Sequence, residues 1–202
     1  MPRKNESSSN KCRFAWILSD RDPPEDNMVY YHVISDIPKY EGEHILLDEQ
    51  HPNGVYRRVY AHLDEVSFIY EHPEKYAGTA VSHELKVALR ELALEKVRKE
   101  KYAQFPSRMA SLYVSKTYEE AAQWAEYFAR IGRPTYGIAK IKASGRTYTG
   151  DAYKCFDGTA SEKENLRLAE IYWENRRNQD GHQPITEILV DGDIEFLEIR
   201  KV

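Results

Sequence analysis

"SRMASLYVSKTYEEAAQWA", Ser107–Ala125, is the stretch on which the fold turns. Ser111–Val114 reads as a short strand, and its alternation sets Leu112 and Val114 on one face and Tyr113 on the other. The strand breaks at Ser115. Thr117 followed by Glu120 is a capping box, which fixes the start of a helix. Ala121, Trp124, Ala125, Phe128 and Ile131 then recur at helical spacing, and Gly132 and Pro134 end the run. Tyr113 therefore sits at a strand-to-helix junction with its direction set by its neighbours.

To the N-terminal side, "MVYYHVI", Met28–Ile34, is rich in β-branched and aromatic residues and predicts a strand. Val29, Tyr31 and Val33 share one of its faces, and Tyr30, His32 and Ile34 the other. Tyr40–Pro73 reads as irregular, with turn signals at Glu41-Gly42 and Pro52-Asn53-Gly54. Val81, Leu85, Ala88, Leu89 and Leu92 predict a long helix over Ser82–Glu100. Its end, Lys96–Lys101, holds four basic residues, which suit either the negative end of the helix dipole or a phosphate. Thr135–Ala143 reads as a strand, and the loop after it has some strand character. Ser161 with Glu164 opens a helix reaching Arg177, with Leu166, Ala169 and Trp173 inward. Ile185–Val190 and Ile194–Arg200 read as two strands joined through Asp191-Gly192-Asp193, a hairpin signal. The pattern is α+β: one or two small antiparallel sheets flanked by three helices. Residues 1–27 read as a disordered or loosely docked tail, in which Phe14–Leu18 is an apolar patch, and 28–202 as one domain.

The 202 residues suffice for a real core. A hydrophobic share of 41% with 31% charged residues marks a soluble class. The net charge of −4 argues against unaided tight binding of nucleic acid, while leaving room for a local basic patch. No apolar run approaches the ~18–20 residues of a membrane span, and no secretory leader pattern opens the chain. Cys12 and Cys155 stand alone, so the expectation is a reduced, cytoplasmic setting without disulfide or zinc. The seven histidines show no metal-ligand spacing, and no metal is expected. Neither a Gly-x-Gly-x-x-Gly nor a Walker loop is present, which argues against a doubly wound nucleotide fold.

Three strand signals carry a polar group among apolar neighbours: His32 in "YYHV", Tyr113 in "SLYVS" and Glu187 in "TEILV". Glu187 shares its face with Ile185 and Leu189, and a carboxylate there needs a partner or a function, because burying it alone is costly. Taken in order, these motifs resemble the His-Tyr-Glu branch of the ADP-ribosyltransferase superfamily, to which diphtheria toxin and the poly(ADP-ribose) polymerases belong. "SLYVSKTYEEA" matches its strand-into-helix Tyr motif and "TEILVDGDIEFLEI" its Glu-x-aliphatic-aliphatic strand. The segment Leu92–Ala125 also looks like a bacterial family placed with that superfamily. The likeness runs from about residue 28 to residue 200. Val33 follows His32 where the polymerases usually carry Gly.

The resemblance implies two small, mostly antiparallel sheets around an NAD cleft, with NAD as substrate and a protein, RNA or DNA acceptor. It implies His32 on the adenosine ribose, Tyr113 stacked on nicotinamide, and Glu187 as the catalytic carboxylate at the ribose 2′-hydroxyl. Arg108 would meet the pyrophosphate, or else pair with a surface glutamate. Ser111 and Ser115 are further pocket candidates, Ser115 having a cap or turn role as its alternative. Tyr30 or Tyr31 would add a stacking wall or simply pack in the core. Such proteins often serve as toxins of toxin–antitoxin or phage-defence systems, so an antitoxin protein is an implied partner. An inactive NAD- or ADP-ribose-binding module of the same fold is the alternative. Lys96–Lys101, Arg108, Arg130 and Arg133 would form one basic margin open to nucleic acid.

Overall fold

The alternation along Met28–Ile34 becomes strand β1. Tyr30 and Ile34 turn into the core between two sheets, while Tyr31 and Val33 turn onto helix α4, Tyr118–Arg130. The structure, a computed structural model, describes residues 28–35, 37–76, 79–179 and 181–201. The segment 1–27, including the patch Phe14–Leu18, lies outside the described residues.

β1 pairs with β4 (Gly137–Ala143), β4 with β7 (Gly192–Arg200), and β7 with β2 (His44–Leu47), all antiparallel. This first sheet has the order β1-β4-β7-β2. A second antiparallel sheet has the order β3-β6-β5, built from Leu112–Val114, Thr186–Val190 and Thr147–Asp151. The protein is thus α+β with two small antiparallel sheets. The sheets meet at the β1–β3 junction. Tyr31 N–H donates to Ser115 O at 2.9 Å, and Ser115 N–H to Tyr31 O at 2.8 Å.

Side-chain parity explains the layers. Leu112, Val114, Ile188 and Val190 face the first sheet, packing on Tyr30, Ile34, Ile141 and Phe196. Tyr113, Tyr148 and Leu189 face the other way, onto helices α3 (His83–Lys101) and α5 (Glu162–Glu174), where Leu94, Tyr172 and Trp173 close a second core. Trp173 Nε1 donates to Leu94 O at 2.8 Å and Tyr148 Oη to Tyr172 O at 2.6 Å, so these buried polar tips are satisfied. Thr117 and Glu120 form the reciprocal capping box at the start of α4. Of the Ser161–Glu164 pair half is made: Ser161 caps Glu164 N–H, but the Glu164 carboxylate goes to Arg167.

Several expectations are corrected. Tyr40–Pro73 is not irregular: it holds β2 and helices α1 (Gly54–Tyr60) and α2 (Leu63–Glu71), so five α-helices, not three, occur among the described residues. β2 has four residues and α1 seven, too short to display a periodic stripe, and α1 starts because Asn53 Oδ1 accepts from Val55 N–H at 2.9 Å. Helix α5 ends at Glu174 rather than Arg177, because Asn175 adopts a left-handed conformation, φ 47°. Asp191-Gly192-Asp193 does not close a hairpin. β6 and β7 belong to different sheets, and the turn carries the chain from one to the other. Ile188–Val190 of β6 are buried on both faces, and the strand takes β3 and β5 as its neighbours, which leaves no edge for β7. No helix among the described residues is long and apolar enough to cross a membrane.

Gly192 sits at that crossing with φ 84°, and a Cβ there would lie 2.8 Å from the backbone of Gly145. The Gly192→Ala variant is expected to lose about 1–3 kcal/mol in urea unfolding, from left-handed strain plus the contact.

Candidate active site

The site is built on helix α3. Glu91 and Glu95 lie one turn apart on its inward face. Glu95 is held by a two-pronged contact from Arg98, at 3.0 and 2.8 Å, and accepts from Ser107 Oγ at 2.7 Å. Glu91 accepts from Arg108 Nε at 2.9 Å and from Arg90 Nε at 3.0 Å. Two consecutive residues, Ser107 and Arg108, are thereby pinned to two successive turns, and the chain leaves this anchor directly into β3.

Arg108 is 5% exposed and its guanidinium is shared. Nη1 donates to Tyr172 Oη at 2.6 Å and to Glu187 Oε1, while Nη2 reaches Cys155 Sγ at 3.7 Å. Tyr172 Oη in turn donates to Glu187 Oε1 at 2.6 Å. One oxygen of Glu187 is thus gripped by a cation and a phenol. Oε2 has no hydrogen bond among the described residues, and the side chain keeps 13% exposure. The guanidinium also lies over two rings, 5.3 Å from the centre of Tyr113 and 4.9 Å from that of Tyr172.

The electrostatics follow from burial and pairing. Burial by itself would raise the Glu91 carboxyl, but Arg108 and Arg90 outweigh it and hold Glu91 below its ordinary value. Burial lowers Arg108, yet Glu187 and Glu91 more than compensate and keep it charged. Burial raises Tyr113 and Tyr172 above the ordinary phenol value, with the Arg108 charge opposing in part, so Tyr172 keeps the proton it donates. Burial likewise raises the Cys155 thiol.

His32 joins from β1. Its Nδ1 lies 2.8 Å from Tyr113 O. A carbonyl only accepts, so Nδ1 carries the proton and, in the neutral ring, Nε2 is the acceptor. The ring stands edge-on to Phe196, with centroids 6.4 Å apart. The structure therefore brings Tyr113, Glu187 and Arg108 into one cluster through side chains, and His32 to Tyr113 through the backbone. Tyr30 is core: it packs between the sheets with its hydroxyl 3.7 Å from Met28 Sδ. Ser115 is buried in the bridge to Tyr31, and Ser111 is buried with an Oγ that has no partner among the described residues.

The basic margin is not formed as expected. Arg98 and Arg108 are buried, and Lys96 and Lys101 pair with Glu162 and Glu170 on α5, at 2.9 and 2.6 Å. Glu91, Glu95 and Tyr172 are site residues that the sequence pattern did not single out. Each carried a signal: Glu91 and Glu95 follow Ala88 by three and seven positions, and Tyr172 follows Ala169 by three, so all fall on the buried stripe of a helix.

Residues 30–201 match the family model described as "Protein of unknown function (DUF2441)", and the chain belongs to that family. No curated protein matches it.

Removing one partner of a buried ion pair strands the other, at a cost of about 3–5 kcal/mol, and that loss is expected for Glu91→Ala in urea unfolding. The acid dependence carries the same information. The folded-state pKa of Glu91 is depressed, so its contribution is complete above the unfolded value near 4.5 and is lost as pH falls through the folded value. The wild-type urea midpoint is expected to drop below about pH 5, and more steeply than that of Glu91→Gln.

Proposed function

We propose that this protein is an ADP-ribosyltransferase that cleaves NAD at the nicotinamide–ribose bond and passes ADP-ribose to a macromolecule. One observation carries the reading. The strands bearing Glu187, Tyr113 and His32 are far apart in sequence but neighbours in space. β6 pairs with β3, and β3 is tied to β1 by the Tyr31–Ser115 bridge and by His32 Nδ1 on Tyr113 O.

Breaking that bond develops positive charge on the ribose, as in glycoside hydrolysis. A carboxylate fixed beforehand beside the ribose stabilises this charge without reorganising at the moment of reaction. Glu187 suits that role, because Arg108 and Tyr172 hold Oε1 and Oε2 is left for the ribose 2′-hydroxyl. His32, oriented by its Nδ1 on Tyr113 O, is the residue that would meet the adenosine ribose. Tyr113 offers a ring already biased by the Arg108 charge. Arg108 is a positioning residue for Glu187; its guanidinium is committed to Glu91, Tyr172 and Glu187 rather than turned to a pyrophosphate. A toxin or defence role, countered by an antitoxin protein, fits such chemistry.

A second reading has its own observation. The Arg108–Glu187 pair gives Glu187 a structural partner, which suits a module of this fold that binds NAD or ADP-ribose without turnover. Labelled NAD with cell lysate separates the two. Nicotinamide release with labelled macromolecule supports transfer, release without label is hydrolysis, and neither leaves the binding module.

Glu187→Gln keeps the shape and the contact to Arg108, and is expected to cut nicotinamide release by about 10²–10³-fold. Activity within a fewfold of wild type would remove Glu187 from the chemistry. Tyr172→Phe deletes one hydrogen bond to Oε1 and is expected to lower kcat roughly tenfold with KM little changed. A merely structural Tyr172 would move the melting temperature and leave kcat alone.

A further inference from the structure

Beside the Glu187 strand lies a polar cleft of about 470 Å³, lined by Asp151, Lys154 and residues 175–179 and 181–184. We propose that this cleft seats the acceptor, and that the acceptor is a single-stranded nucleic acid. The proposal rests on the transferase reading and adds the class of acceptor.

Position is the first argument. In the β5–β6 ladder Gly150 stands opposite Glu187 and Asp151 opposite Thr186. The cleft residue Asp151 therefore stands one strand position along from the residue that faces Glu187, an interval of about 3.3 Å along the backbone, with its side chain alternating to the other face of the sheet. Charge is the second. Lys154, Arg176 and Arg177 line it, with Arg176 81% exposed. Asp151 is the carboxylate among its described lining residues, and it is fully used. Its Oδ1 accepts from the N–H groups of Tyr153 and Ile185, at 3.0 and 2.9 Å, and its Oδ2 from Asn178 Nδ2 at 2.8 Å. Counted with Glu174, which pairs with Arg176 at 3.0 Å, the three cations outnumber the carboxylates among the described residues there by one, on a protein whose net charge is −4. Lys154 Nζ also reaches Asn175 Oδ1 at 3.2 Å and Arg176 O, which ties the turn after β5 to the segment after α5.

The third argument separates a nucleic acid from an acidic peptide. Tyr153 and His182 stack face to face, with centroids 4.3 Å apart and planes 22° apart, and Tyr153 is 46% exposed. A flat aromatic pair beside cations suits a base whose phosphates are held by Arg and Lys. Gln179 and Gln183 bring amide groups of the kind that read base edges, while the Asn175 and Asn178 amides are engaged in holding the cleft wall. A peptide carboxylate would use the cations and leave the platform idle. A duplex hides its base faces, so the strand must be single or splayed. The transfer balances within these reactants. A nitrogen or oxygen of the nucleic acid forms the new bond to the ribose anomeric carbon, nicotinamide leaves with the electrons of the broken bond, and the acceptor's proton passes to water.

The test is fluorescence anisotropy of the full chain with fluorescein-labelled single-stranded RNA and DNA oligonucleotides and no NAD, so that binding is read apart from chemistry. Binding is expected to weaken about tenfold or more between 50 and 200 mM salt. The double variant Arg176→Glu/Arg177→Glu is expected to weaken it roughly tenfold, and Tyr153→Ala severalfold. Arg57→Glu/Arg58→Glu, on α1 away from the cleft, should stay within about twofold, since distant charges are screened. No binding, or equal binding by all variants, overturns the proposal. A second arm labels lysate with NAD and digests it. Label released by nuclease supports the proposal, and label released only by protease overturns it while leaving the transferase reading intact. Cation-dependent oligonucleotide binding without any nicotinamide release supports the cleft and overturns the transferase reading.

Discussion

The Arg108–Glu91 pair holds the site together. Each residue is nearly excluded from water, and each would be costly alone. Paired, they fix the residue that enters β3 against the middle of α3. Ser107 on Glu95 repeats the contact one turn further along the helix. This double anchor sets the height at which β3 joins β6, and so the register of Tyr113 against Leu189 and the approach of Glu187 to the same guanidinium. The geometry is a relay: α3 holds Arg108, Arg108 and Tyr172 hold Glu187, and Tyr113 lies under the shared charge.

The relay also explains how a carboxylate persists on an apolar strand face. Leu189, on that face, is fully buried among Tyr148, Tyr172 and Trp173. Without Arg108, ionised Glu187 would meet low-dielectric surroundings with no compensation. With it, one oxygen is neutralised and the other keeps contact with the surface. A charge held firmly while still partly accessible is what electrostatic catalysis asks of a side chain. It is also what a fold would retain for stability alone.

Legibility in the sequence tracked element length and periodicity. The capped helix α4, strand β1 and the parity of Leu112, Tyr113 and Val114 were readable because each rests on local pattern. β2 and α1 were not, being shorter than the windows in which a period shows. Asp191-Gly192 announced a turn correctly, but the partner of each flanking strand is set by which faces must be buried, and that is not local. Local pattern leaves Arg108 open to a phosphate or a surface glutamate, and the buried glutamates that claim it lie on other elements.

Local pattern was enough for the α+β class, the direction of Tyr113 and the three polar strand positions, because side-chain alternation and capping are fixed by neighbours within a few residues. Assembly of the chain was needed to set those strands side by side, to spend Lys96–Lys101 on buried and α5 carboxylates, and to grip Glu187 through Oε1. Charge pairing and strand partnership are settled by desolvation in the assembled core, where each polar group must find whichever partner the packing brings within reach.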